Sequence, residues 1–375
     1  MKLENILENI KTNVKRTFLI AGLVSSMFTF SCRNYSNLNS QLSEKLRAHD
    51  FGPVLLHGDS FDSLGARNPY IFTANDTFYL YYDAAGKNGW LGAVATSTDL
   101  HNWTKHGYVL SLGDSSDADF KSASYPIVTA DGNNYFAFYL ATRSTFGQHF
   151  KIPVGQYRIC SATASNPLGP WVQNRTPILP LGRKGSFDEL ATAPAFLLEN
   201  DSEYLLFYSG AGRVKNNPLM HRTLGVARSK TLAGEWAKRI NSLFPQNQQI
   251  ENASLYFDKI SETWFLFTNH VARQGGNPTA EVMLGQNRPI EYTDAVIAYW
   301  SKDLLNWDVH NKAVVLDSSN VSWNTKIIGL PSVIEWRDTL WVFYDGKTGS
   351  DTLARTRDGS DHMGRDIGLS WIKLR

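Results

Sequence analysis

Glu251 opens the stretch IENASLYFDKISETWFLFTNHVAR (residues 250–273), beside Asn252 and ahead of two aromatic and β-branched runs that meet at the turn-like DKISE. That pattern reads as a β-hairpin with a carboxylic acid at the mouth of its first strand. Three more carboxyl groups hold comparable positions: Asp62 in FDSLGARNP, and the adjacent Asp188 and Glu189 in FDELATAP. Two carboxyl groups in one cleft, one protonated and one ionised, can run acid–base hydrolysis. Glu251 is the first candidate for the acid and Asp188 or Glu189 for the base, with Asp62 third. Neighbours on a strand point to opposite faces, so only one of Asp188 and Glu189 faces such a cleft. A repeated Phe-Asp also suits a loop tie through backbone hydrogen bonds, and one glutamate at a strand end is more often solvated.

A second pattern is cationic. Five strand ends, YYDAAGK, YLATR, YSGAGR, TNHVAR and YDGK, place Lys87, Arg143, Arg213, Arg273 and Lys347 at one repeated station. Arg67, His149 and His221 could join them, and Asn68 and Tyr125 stand at strand starts on the same face. Convergent guanidinium groups match sulfate or carboxylate through paired hydrogen bonds. The plainer alternative is that these cations neutralise Asp83 and Asp345. His270, in TNHV, is a further acid–base or sugar-hydroxyl candidate, although a lone histidine after a strand is more often structural.

The elements that must position these groups repeat. A strand start with proline and an aromatic hairpin occur in NPYIFTANDTFYLYYDA, YPIVTADGNNYFAFYLA, APAFLLENDSEYLLFYSG and LPSVIEWRDTLWVFYDG; the Glu251 stretch has Ala253 in the proline place. Turn chemistry sits at each centre. An alternating strand with a serine, a polar turn and a tryptophan follows in four units, at Trp103, Trp171, Trp236 and Trp307, and Trp371 keeps the spacing. The intervals are 68, 65, 71 and 64 residues. A unit of roughly 65 residues with about four strands predicts a propeller blade. The expectation is an all-β, five-bladed β-propeller over residues 50–375. Its last blade stops short, so an N-terminal strand at residues 52–58 closes it and leaves no open edge. Residues before each proline and after each second strand then share one funnel.

Composition bounds the rest. Hydrophobic residues make up 42% and charged residues 19%, which suits a folded globule with an ample core. A formal charge of +2, without a basic run or zinc-like Cys/His spacing, gives no reason to invoke nucleic acid. The aromatic share of 13% favours strands and supplies faces for stacking on sugar rings. At the N-terminus, Lys11, Lys15 and Arg16 precede the apolar TFLIAGLVSSMFTF and then Cys32. This reads as a signal segment over residues 1–32, with Cys32 the acylated cysteine of a bacterial lipoprotein and residues 33–49 a polar tether. An ordinary signal peptide cut nearby is the alternative. The chain is thus expected outside the cytoplasm, held to a membrane by lipid alone, with Cys160 unpaired.

The blades, the proline-led strands and the aromatic hairpins resemble family 43 glycoside hydrolases and their five-bladed relatives in families 32, 117 and 130. The likeness covers roughly residues 50–375 and is one of architecture and short motifs. It implies a glycosidase acting on plant or algal oligo- or polysaccharide, anionic if the cations converge. It also implies Glu251 as general acid, where family 43 has Glu-Gly-Pro and this chain has ENA. The family base is an aspartate where Asn68 stands, and its third aspartate falls at Ala193. Those two departures keep a non-catalytic carbohydrate-binding propeller and a glycoside phosphorylase open as alternatives. An inverting hydrolase would need its two carboxyl groups about 6.5–9.5 Å apart. No cofactor or metal site is expected, although the axis of such a ring could take a structural cation.

Overall fold

The computed structural model describes residues 42–200, 202–213, 220–274, 290–323, 327–347 and 362–374; for residues 247, 270–274 and 290–292 it describes the backbone alone. Cys32, the signal segment and most of the tether lie outside the described residues. Residues 1–46 and 47–375 separate as two units. In the first, residues 42–45 form a helical turn. Among the described residues, the second holds every β-strand.

After β1 (His49–Leu55), β2 (Gly65–Ala74), β3 (Thr77–Gly86), β4 (Gly89–Ser97) and β5 (Thr104–Tyr108) pair antiparallel in chain order. Next come β6 (Ser122–Asp131), β7 (Asn134–Thr142), the small β8 (Ser144–Phe146) and β9 (Ile152–Val154) hairpin, β10 (Arg158–Ala164) and β11 (Val172–Asn174). Here β6, β7, β10 and β11 make the meander. The third is β12 (Ala191–Asn200), β13 (Glu203–Arg213), β14 (Met220–Ser229) and β15 (Ala237–Lys238). The fourth is β16 (Ser254–Asp258), β17 (Thr263–Gln274), β18 (Ile290–Ser301) and β19 (Lys312–Leu316). The last is β20 (Ile328–Trp336), β21 (Thr339–Lys347) and β22 (Arg365–Lys373), with β1 pairing antiparallel to β22.

The N-terminal strand therefore pairs where the tryptophan spacing places it. It runs over residues 49–55 rather than 52–58. Asp50 anchors it by accepting from the Tyr344 hydroxyl at 2.6 Å, and a bulge between Pro53 and Leu55 breaks its register.

First strands neighbour one another in the order β2, β6, β12, β16, β20, and β20 returns to β2. Side-chain hydroxyls stitch some of these contacts: Ser332 Oγ accepts from the Ile71 N–H at 3.1 Å, and Ser254 Oγ accepts from the Val333 N–H at 3.0 Å. The repeated tryptophans explain how one meander holds the next. Trp103 packs edge-on against Phe343 of the last meander, with ring centroids 5.8 Å apart. Trp171 meets Tyr81 at 6.4 Å and Trp236 meets Phe138 at 5.4 Å in the same manner. Each ring thus reaches the second strand of the preceding meander, a contact worth about 0.5–1.5 kcal/mol beyond its burial.

The proline at the strand start also has a defined effect. Register breaks lie at Arg67/Tyr70, Ser124/Ile127, Pro194/Phe196 and Gly329/Ser332, because proline has no N–H to give the ladder. At three of these, the residue before proline adopts positive φ: Asn68 (51°), Tyr125 (49°) and Leu330 (52°). Non-glycine residues pay about 1–3 kcal/mol for that conformation, and such outliers gather where function constrains the backbone. All three face one cavity.

Candidate active site

That cavity measures about 210 Å³ and takes residues from all five meanders. Glu251 and Asp83 are the carboxylic acids among its lining residues, and Arg67, Arg222 and Arg365 are the arginines. The β8–β9 hairpin contributes Ile152, Pro153 and Val154, so an insertion in the second meander forms part of the wall.

Glu251 lies in the loop before β16, where no ladder hides it, and its side chain keeps 33% exposure. Arg222, near the start of β14, places Nε 3.3 Å from Glu251 Oε1. Asp83 is different. It sits on β3 within an otherwise apolar run and is 2% exposed. Its carboxylate accepts from the Tyr125 backbone N–H and from the Asn68 side-chain amide. Burial pushes its pKa up to about 7; those two donors and the Arg67 charge pull the other way and are outweighed. Burial drives the Tyr125 phenol pKa far up; a hydrogen bond with Asn252 pulls the other way, and the charges of Asp83 and Glu251 add to the rise.

The arginines are held in place. Asp345, fully buried, accepts from Arg67 Nε at 3.3 Å and from Arg365 Nη1 at 3.2 Å. Arg67 also lies 4.9 Å over the Trp90 ring, and its Nη1 is 3.2 Å from His362 Nδ1. Paired this way, the guanidinium groups cannot swing out to solvent. Among the described residues, no three His, Cys, Asp or Glu side chains gather where they could hold a metal ion.

Of the sequence candidates, Glu251, Arg67, Asn68 and Tyr125 line the cavity together. Asp188, Glu189, Asp62, Arg143, Arg213 and Lys347 are not among its lining residues. Asp188 accepts from the Tyr208 hydroxyl at 2.9 Å and from Lys238 Nζ at 2.7 Å. Asp62 does the same with Tyr82 at 3.1 Å and Lys105 at 2.6 Å. Asp119, which the Phe-Asp pattern did not flag, repeats it with Tyr139 at 2.8 Å and Arg175 at 2.6 Å. In each case the tyrosine stands 20 residues after the aspartate. These are side-chain latches between a loop, a second strand and the outer edge of a meander; Asp62 also accepts from the backbone N–H groups of Gly58 and Asp59, the kind of loop tie the repeat suggested.

Glu189 accepts from the Gly185 and Arg213 N–H groups and pairs with the Arg213 side chain at 3.4 Å. Those contacts outweigh desolvation and lower its pKa. Arg143 donates to the carbonyls of Ser115 and Asp117, closing a loop. The side chains of His270 and Arg273 lie outside the described residues. Sequence reasoning named Asp83 only as a partner for cations, and it did not name the lining residues Arg222, Arg365 and His362. The available signals were an acid inside the apolar FYLYYDAAG and arginines opening the third strands in HRTLGVA and GRDIGLS.

No family model and no curated protein matches the chain. Solved structures do. BT0996, in a structure of its complex with RGII, is 16% identical, with a TM-score of 0.66 over 89% of this chain and 94% of that one. Zg3597, a family 117 glycoside hydrolase of the marine bacterium Zobellia galactanivorans, is 15% identical, with a TM-score of 0.60 over 88% and 92%. The catalytic domain of the Coprinopsis cinerea family 62 α-L-arabinofuranosidase is 13% identical, with a TM-score of 0.56 over 87% and 96%. At such identities the likeness is one of architecture, and it spans most of both partners: the chain has the all-β, propeller-like fold of the family 117 and family 62 glycoside hydrolases.

Proposed function

We propose that the chain is a glycoside hydrolase whose five meanders form the blades of a five-bladed propeller, with oligo- or polysaccharide as substrate. One observation carries this reading: a single cavity lined by two carboxyl groups in opposed environments, Asp83 and Glu251. Asp83, buried and near pKa 7, is the group that still carries a proton close to neutrality. Glu251, in an ion pair with Arg222 and a third exposed, is the carboxylate proposed to hold water. Pairs of carboxyl groups whose surroundings drive them apart divide acid and base roles in this way. A water taken by Glu251 and a proton given by Asp83 to the leaving oxygen would cleave the glycosidic bond with inversion.

The reverse assignment, with Glu251 as acid, has its own support. Glu251 is the more exposed of the two, and both Asp83 oxygens already accept hydrogen bonds. Asp83→Asn and Glu251→Gln, assayed on natural glycosides and on aryl glycosides with activated leaving groups, separate the two. The acid variant loses about 10²–10⁴-fold on natural substrate and much less on the activated one; the base variant loses on both. Product formed only when phosphate is supplied would indicate a phosphorylase, and no product from any glycan would leave a binding propeller. Three arginines in the same cavity favour a substrate with an anionic substituent, sulfated or uronic. The protein is further proposed to act outside the cytoplasm, anchored through an acylated Cys32.

A further inference from the structure

Arg67 and Asp83 stand opposite each other in the β2–β3 ladder, so their side chains rise from the same face of the sheet. Arg67 nevertheless pairs elsewhere. It gives Nε to Asp345 at 3.3 Å, and Arg365 gives Nη1 to both oxygens of the same carboxylate at 3.2 and 3.3 Å. Asp345 is fully buried on β21, at the place in YDGK that Asp83 holds in YYDAAGK. Its own ladder partner is Gly329, which has no side chain to offer, so its cation comes from the neighbouring meander. The two acids also share the next residue: Asn68 gives its side-chain amide to Asp83 and its backbone N–H to Asp345 at 3.4 Å. Charge is thus divided unevenly. Asp345 holds two guanidinium groups, while the hydrogen bonds to Asp83 come from uncharged donors. A buried carboxyl whose cation is held elsewhere keeps its proton to higher pH, and burial carries Asp83 to about 7.

We propose that Asp345 is a positioning residue that keeps the Asp83 carboxyl protonated by holding the Arg67 guanidinium away from it. Its bearing on catalysis rests on the glycosidase reading above, with Asp83 as the acid. Two effects act in the same direction. The Asp345 charge disfavours a second carboxylate close by, and it occupies the cation that stands ready to neutralise one. Arg365 fixes Asp345 in turn. Facing the same cavity are Tyr125, His362, whose Nδ1 lies 3.2 Å from Arg67 Nη1, and Glu251, which Arg222 holds. With Asp345 uncharged, Arg67 would be left opposite Asp83 and free to turn to it.

The titration of Asp83 can be read as the difference in urea-unfolding stability between each protein and the same protein carrying Asp83→Asn, followed across pH. The subtraction removes the titration of His362 and Glu251. In the wild type the advantage of Asp83 is lost as pH rises through about 7. In Asp345→Asn the loss should set in about one pH unit lower or more, because an opposite charge brought within reach lowers a carboxyl by about 1–3 units. Adding Arg67→Gln to Asp345→Asn removes the cation that turns, and should bring the window most of the way back. If Asp345→Asn does not fold, Arg67→Gln alone decides: without that cation the window should move above the wild-type one. A window left in place in the variant that folds overturns the proposal, whatever the activity. So does a fall in Asp345→Asn that Arg67→Gln leaves untouched, because the cation then has no part in it. The alkaline limb of the kcat profile should follow the same window. A limb that stays while the window moves, or a protein that cleaves no glycan, would sink Asp83 as the catalytic acid and leave this inference standing.

Discussion

Asn68 donates its side-chain amide to Asp83, 15 residues further along and on the neighbouring strand. Family 43 enzymes, which the repeats resemble, carry an aspartate where Asn68 stands. Here Asp83 meets Asn68 from across the β2–β3 ladder. Asn68 also holds positive φ, which turns its side chain off the strand and toward Asp83.

Asp83 should make stability depend on pH in a defined direction. Its carboxyl is raised from 3.8 to about 7 in the fold, so the folded chain binds the proton more tightly than the unfolded one. That contribution is complete below about pH 4 and is lost as pH rises through about 7. Relative to Asp83→Asn, the wild type should therefore lose stability across that window, by no more than about 1.4 kcal/mol per pH unit. Urea unfolding of both proteins at several pH values measures the difference. A flat or rising difference would remove Asp83 as the proton carrier.

Arg222 should matter to turnover more than to stability. Its partner Glu251 is a third exposed, so the pair is screened and contributes at most about 1 kcal/mol. Arg222→Gln should shift the melting temperature by no more than about 3 °C while kcat falls by about 10-fold or more. Equal losses in both would make the pair structural.

Asp188→Ala should show the opposite pattern. Removing the acid leaves Lys238 and the Tyr208 hydroxyl without their buried partner, a loss of about 3–5 kcal/mol. Turnover by the protein that remains folded should stay within about threefold of wild type. A large drop in kcat at normal stability would return Asp188 to the catalytic candidates.

Cys32→Ala tests the proposed anchor. Membrane fractions of an expressing bacterium should hold the wild type and lose the variant, or retain it unprocessed at a higher mass. Unchanged membrane association at the mature mass would count against lipidation.

The periodic features were legible from the residues because they answer to local rules. Proline at a strand start removes a ladder donor wherever it occurs, and the observed register breaks at Pro69, Pro126 and Pro331 follow from that alone. The tryptophan spacing likewise marked a contact between meanders at Trp103, Trp171 and Trp236, whose partners Phe343, Tyr81 and Phe138 are second-strand aromatics of the hairpins. Glu251 could be singled out because its strand start had lost the proline and gained an acid.

The choice between a latch and a cavity acid was not legible. Asp62, Asp83, Asp188 and Asp345 are all aspartates next to aromatic strands, and no local rule says which faces the cavity. Asp188 is committed by Lys238, 50 residues away, and Asp83 by the backbone of Tyr125, 42 residues away in the next meander. Burial raises one carboxyl toward neutrality, and an ion pair holds another in place, only after strands from several meanders have converged. Repeat, register and turn are properties of short stretches, so the sequence by itself determined the meanders and their order. Which acid keeps its proton depends on charges and desolvation supplied by distant segments, and that only the tertiary structure decided.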